Sequence, residues 1–260
     1  MTIKRYQVDA FTNRIFAGNP AVVCPLTQWL PDTVMQNIAM ENNLSETAFY
    51  VKENTGYRIR WFTPALEVDL CGHATLATAY VMFHHEGYPE NEIQFQSRSG
   101  LLGVKKEGDW LTLDFPVHPV KPENDLVKFR NCFAHQPVQA FRGKEDYLLV
   151  FASEDQIADA RADISAILRL DARAVIITAP GNTVDFVSRF FIPKAGINED
   201  PVTGYAHTVL VPYWAGVLGK NSFEARQLSA RGGELRCQLR GNRVAISGQA
   251  CLFSVGEIFL

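Results

Sequence analysis

The chain has 260 residues, enough for one large or two medium domains with a proper core. Its composition, 47% hydrophobic and 20% charged, is that of an ordinary globular protein, and a net charge of -3 supplies no basic field, which argues against a nucleic-acid partner. Five cysteines (Cys24, Cys71, Cys132, Cys237 and Cys251) are odd in number and form no CxxC pair. They read as reduced thiols of a cytoplasmic protein, and neither a disulfide framework nor a metal is expected.

In chain order, residues 3–10 alternate like a strand and lack the apolar run of a signal peptide. A second strand is expected near 20–24, then a helix near 31–42 opened by Pro31 and Asp32. Strands near 46–52 and 57–63 follow. From Gly72 to Phe83 every face is apolar or small, the pattern of a buried helix, and about a dozen residues are too few to cross a bilayer. The first amides of such a helix have no partner within it and sit at the positive end of its dipole, so they suit an anion. His84 and His85, adjacent at the helix end, read as solvated residues rather than a metal pair. A strand near 92–97 and a hairpin around Gly100–Gly108 complete the first half.

The second half repeats this order. Phe115–Pro122 carries three prolines and reads as a linker. Strands near 137–142 and 146–151 precede a helix opened by Ser153, with Gln156 at capping-box spacing. Strands near 173–179 and 183–191, an apolar helix from Gly204 to Leu218 and a hairpin around Gly233–Gly241 follow. Arg60-Trp-Phe-Thr-Pro64 matches Arg189-Phe-Phe-Ile-Pro193, and Gly72-His73-Ala74 matches Gly204-Tyr205-Ala206. Duplication explains the shared order. The expected fold is therefore α+β, with two pseudo-symmetric domains, residues 1–117 and 118–260, each wrapping strands around one apolar helix; the last strand is allowed to return to the first domain. Two such helix starts facing a cleft between domains would suit a small carboxylate-bearing substrate.

Within this frame, His73 stands at the first turn of the buried helix, where the positive helix end is expected to keep its imidazole neutral. Gly72 before it allows close ligand approach. Asp200 precedes the second helix, where a helix cap is the plain alternative to a site role. Glu46 reads locally as an exposed strand-initial carboxylate. Asn19 lies in a turn from which it could reach the cleft. Arg98-Ser-Gly and Arg231-Gly-Gly are either anion nests or hairpin entries. Cys71 would serve a two-base racemase, but the repeat places Thr203 where a second thiol is needed.

Gly18-Asn-Pro-Ala21, Asn43-Leu-Ser-Glu-Thr47, Cys71-Gly-His-Ala-Thr75, Glu199-Asp-Pro-Val-Thr-Gly204, Pro212-Tyr-Trp-Ala215 and Arg231-Gly-Gly233 together resemble the PhzF family of phenazine-biosynthesis proteins over essentially the whole chain. The resemblance implies a diaminopimelate-epimerase-like fold, a homodimer and a cofactor-free isomerase. Glu46 would move the proton, while His73 and Asp200 hold and polarise the substrate. Asn19, Ser45, Gly72, Ala74, Gly204, Tyr205, Ala206 and Gly232 are the expected substrate-binding residues. The family has a serine where this chain has Tyr205, a larger group expected to fill part of the pocket. The alternatives are a two-base amino-acid racemase and a metabolite-binding protein without turnover. No membrane partner is expected.

Overall fold

The structure is a computed structural model that describes residues 1–53 and 56–260. It is mixed α+β, with eighteen strands and five α-helices among the described residues. None of these helices is long and apolar enough to cross a membrane. The chain folds into two compact units, one formed by Met1–Asp114 with Ser247–Leu260 and the other by Phe115–Ile246.

The first unit contains β1 (Thr2–Ala10), β2 (Asn19–Leu26), α1 (Asp32–Asn42), β3 (Glu46–Glu53), β4 (Gly56–Phe62), β5 (Glu67–Val68), α2 (Gly72–His84), β6 (Glu92–Ser97), β7 (Gly100–Glu107) and β8 (Trp110–Pro116). β1 and β2 are antiparallel, β2 and β3 parallel through α1, and β3 and β4 antiparallel. β4 and β6 are parallel through α2, and β6, β7 and β8 continue antiparallel. The last strand of the chain pairs antiparallel with β1 along its whole length.

α2 packs on β1, β2, β3, β7 and that last strand, so elements from both ends of the strand order close on one helix. Its sequence permits this. Leu76, Ala77, Ala79 and Val81 are wholly buried, and small residues let strands approach from every side. The buried hydroxyls of Thr75 and Thr78 donate to the Cys71 and Ala74 carbonyls at 2.5 and 2.7 Å, which satisfies them inside the helix.

The second unit contains β9 (Lys121–Glu123), β10 (Gln139–Arg142), β11 (Asp146–Val150), α3 (Glu154–Ala158), α4 (Ile164–Leu168), β12 (Ala174–Pro180), β13 (Phe186–Ile192), β14 (Ile197–Asp200), α5 (Gly204–Leu218), β15 (Ser222–Gln227), β16 (Gly233–Arg240) and β17 (Arg243–Gly248); β18 (Ala250–Phe259) is the last strand, already described in the first unit. From β10 onward the order and sense of the strands are those of the first unit. β10 and β11 are antiparallel, β11 and β12 parallel, β12 and β13 antiparallel, β13 and β15 parallel, and β15 and β16 antiparallel. α5 is buried through Ala206, Leu210, Val211 and Trp214. The Trp214 indole stacks on Phe186 at 5.7 Å and donates to Thr178 at 3.0 Å. Pro212 inside α5 has no N–H to give the Thr208 carbonyl, and the His118 N–H takes that acceptor at 3.1 Å instead.

Local expectations fail in two places. The proline-rich stretch from Phe115 to Pro122 is not a free linker: β8 runs to Pro116, and Pro122 lies in β9 opposite Phe141. Proline is tolerated on a short edge strand because its missing N–H is not needed there. The helix opened by Ser153 stops after one turn. Arg189 draws the Ile157 and Ala160 carbonyls to its guanidinium, and Asp163 caps a new start by accepting from the Ala166 N–H at 2.8 Å. The Ser153 side chain makes no cap bond, and Gln156 accepts from the Ala152 N–H instead of closing a capping box.

Candidate active site

In the first unit four side chains converge at the start of α2. Glu46 is the first residue of β3, and its Oε2 lies 3.1 Å from Nε2 of His73. His73 is 5% exposed, and the Glu46 side chain 16%. The other ring nitrogen, Nδ1, lies 3.2 Å from the Asn19 amide nitrogen and 3.6 Å from the Cys71 sulfur. Asn19, wholly buried, begins β2 because Gly18 turns the chain at φ +66°. A Cβ on Gly18 would stand 2.1 Å from the Ala10 carbonyl oxygen. Cys71 occupies the N-cap of α2 without offering a side-chain cap, so the first turn keeps its positive end. Ser45 lies half-buried in the bend just before Glu46.

This geometry reverses one expectation. His73 was expected to be neutral, yet its pKa is raised well above the usual 6.5. Burial pulls it down, while the Glu46 carboxylate 3.1 Å from Nε2 favours the charged ring. The Cys71 thiol itself is pushed up to about 11, chiefly by burial. Glu46, Cys71 and His73 also form a possible donor set, their atoms lying within 4.8 Å of one another.

The start of α5 in the second unit is built on the same plan with different groups. Five residues before Gly72, Glu67 forms a two-pronged ion pair with Arg60, both bonds 2.7 Å. Five residues before Gly204, Glu199 does the same with Arg189 at 2.6 and 2.8 Å. The N-cap is Thr203 instead of Cys71, again without a side-chain cap. The Thr203 hydroxyl donates to Oδ2 of Asp200 in a short bond. His207 donates from Nδ1 to the Thr203 carbonyl at 2.9 Å, and Gln227 accepts from the Thr203 N–H at 2.9 Å. Tyr205, in the place of His73, is held by its neighbours. The buried Asp146 carboxylate lies close enough to act electrostatically on its hydroxyl, the Arg173 guanidinium lies 4.8 Å over its ring, and the His118 ring is 5.1 Å away. Gly204 and Ala206 are buried in this first turn. Gly232 adopts φ +66° and gives its N–H to the Ser229 hydroxyl at 3.1 Å.

Gln227, Asp146, Arg173 and the glutamate partners of the two repeated arginines were missed in the sequence. Their partners are distant in sequence or, for the glutamates, lie across a turn; only the arginine repeat hinted at them.

An α+β chain in which a mixed sheet is drawn round one helix has the same fold as solved proteins of quite different sequence. A hydroxyproline epimerase from Agrobacterium vitis shares the fold at a TM-score of 0.63 with 8% identity, over 99% of this chain and 92% of that one. The profile of the family described as "PhzC-PhzF: Phenazine biosynthesis-like protein" matches residues 8–256, and the chain belongs to that family. A PhzF-family protein from Enterococcus faecalis has 48% identity and a TM-score of 0.98 over the full length of both chains. An uncharacterized isomerase of Pseudomonas aeruginosa is 50% identical over 100% of each chain, and the class of enzyme is accordingly isomerase.

Proposed function

We propose that the chain is a cofactor-independent isomerase that moves a proton on a small carboxylate-bearing molecule, with Glu46 as the general acid and base. The observation that carries this reading is the Glu46–His73 contact of 3.1 Å at the start of a buried helix whose first turn lacks a side-chain cap. The Glu46 carboxylate takes a proton from one carbon and returns it to another, so a C–H bond breaks and a C–H bond forms with no change of oxidation state. His73, with its proton affinity raised, sets a positive ring 3.1 Å from the carboxylate and holds it in place by charge. Asp200 holds and polarises the substrate, and the amides of Gly72–Ala74 and of Gly204–Ala206 receive its anionic group. The upward shift of the Cys71 thiol supports Glu46 over Cys71 as the base. In this reading each unit is a copy of one ancestral strand barrel around a helix, and the protein works as a homodimer in the cytoplasm.

The test starts from a thermal-shift screen of small carboxylic acids against the full chain. Each hit is then incubated in deuterated water with wild type and with Glu46→Gln. The expected result is deuterium uptake by wild type and a loss of about 10²–10⁴-fold in the variant with binding retained. Exchange by Glu46→Gln at the wild-type rate would show that Glu46 is not the base. Binding without exchange by wild type would show a binder on an isomerase fold.

A further inference from the structure

Thr203 is a node at which every polar group is used. Its N–H goes to Oε1 of Gln227 at 2.9 Å, its carbonyl accepts from His207, and its hydroxyl donates to Asp200. Gln227, the last residue of β15, is wholly buried. Its amide nitrogen donates to the Asp200 carbonyl at 2.8 Å and lies 3.2 Å from the Thr203 hydroxyl oxygen.

These contacts determine direction. Oε1 of Gln227 faces an N–H and must accept; Nε2 faces a carbonyl and must donate, so the carboxamide has one orientation. Nε2 then offers a hydrogen to the Thr203 oxygen. The single hydroxyl hydrogen of Thr203 has to leave on the other side, toward Oδ2 of Asp200. An oxygen that receives an O–H in this way is an acceptor, which favours the ionised carboxyl.

We propose that Gln227 is a positioning residue which, through the Thr203 hydroxyl, orients the Asp200 side chain and keeps it a carboxylate acceptor. The chain Gln227 to Thr203 to Asp200 joins the end of β15, the N-cap of α5 and the end of β14. The N-cap hydroxyl is thereby diverted from the helix it would ordinarily cap. Two independent signs mark this as more than helix capping: a glutamine is wholly buried where an apolar residue would pack, and the helix start is left without its side-chain cap. The proposal rests on the reading of Asp200 as the substrate-holding carboxylate.

The test uses the full chain, uniformly labelled with carbon-13, and follows the side-chain carboxyl resonance of Asp200, assigned with Asp200→Asn, across an acid titration. In Thr203→Val, which keeps shape and removes the hydroxyl, the Asp200 midpoint rises relative to wild type. Thr203→Ser restores the hydroxyl and returns the midpoint to the wild-type position. Gln227→Met, similar in length and apolar, gives a rise in the same direction. A variant with only a structural role would leave the carboxyl titration unmoved. Equal midpoints in Thr203→Val and Thr203→Ser overturn the proposal, whatever the state of Gln227→Met, so a misfolded glutamine variant does not protect it. The titration needs no substrate. Its failure is therefore separate from failure of the Glu46 reading, which deuterium exchange decides.

Discussion

Nε2 of His73 and Oε2 of Glu46 stand 3.1 Å apart, the one 5% exposed and the other 16%, although 27 positions separate them in the chain. Parallel pairing of β2 with β3 sets Glu46 beside Ala21, and α2 places His73 above it.

The pair predicts a definite pH response. The folded His73 has its pKa raised, so the folded state holds the proton more tightly than the unfolded chain does. Its stabilising contribution is present in full below the unfolded value of about 6.5 and is lost as pH rises through the higher folded value. In Glu46→Gln the carboxylate part of that rise is gone. The titration of His73, followed by imidazole NMR, is expected to move down toward its ordinary value. An unchanged titration would show that Glu46 is not what holds the proton.

Much of the architecture was legible in the residues. The helix of Gly72–His84 follows from its uniformly apolar faces, and the repeated Arg60 and Arg189 stretches mark equivalent strands, β4 and β13. Local patterns could not show which distant groups meet. The ionisation of His73 was misjudged because the helix end is visible in sequence while the carboxylate beside the ring is not. Asn19 reads as a turn residue, and spacing does not show that its wholly buried side chain lies 3.2 Å from Nδ1 of His73. Tyr205 read as a bulky substitute in a pocket, while Asp146 and Arg173, which hold it, lie 59 and 32 positions earlier in the chain. The prolines before Pro122 read as a linker because edge pairing leaves no periodic mark.

The two arginine–glutamate clamps should contribute in parallel. Arg60 is 15% and Glu67 12% exposed, and each bond is 2.7 Å. Removing one carboxylate leaves Arg60 its Asp32 contact at 2.8 Å and Arg189 its bonds to the Ile157 and Ala160 carbonyls, so Glu67→Gln and Glu199→Gln are each expected to cost about 1–3 kcal/mol, the worth of the charged hydrogen bonds lost. Denaturant unfolding of the single variants and of Arg60→Met with Glu67→Gln measures the coupling. Simple additivity in that double variant would mean the clamp carries no pairwise energy.

Gly18→Ala is expected to be worse than an ordinary glycine substitution. At φ +66° with the Ala10 oxygen 2.1 Å from the added Cβ, both strain and backbone clash oppose it. Gly87, at φ +67° with nothing within 4 Å, isolates the strain alone. Gly87→Ala should cost about 1 kcal/mol, and Gly18→Ala clearly more, with displacement of Asn19 read as a change in the His73 ring resonances. Equal costs would remove the role assigned to the close approach at Gly18.

His207 provides a test of the opposite sign to His73. It is wholly buried, donates from Nδ1 to the Thr203 carbonyl, and lies 5.9 Å from the Phe186 ring. Burial pushes its pKa down to about 4 from the usual 6.5, against a smaller upward pull from the Thr203 carbonyl. The unfolded chain therefore binds a proton that the folded chain refuses. Stability is complete above about pH 6.5, falls as the pH drops, and levels off below about 4. A difference of about 2.5 units corresponds to roughly 3 kcal/mol lost over that window, since each unit is worth 1.36 kcal/mol. In His207→Gln this part of the acid dependence should vanish, because glutamine can donate to the same carbonyl without titrating. Chemical denaturation of both chains at a series of pH values between 4 and 7 measures it. Parallel stability curves for the two chains would mean that His207 is not the group that charges as the fold loosens in acid.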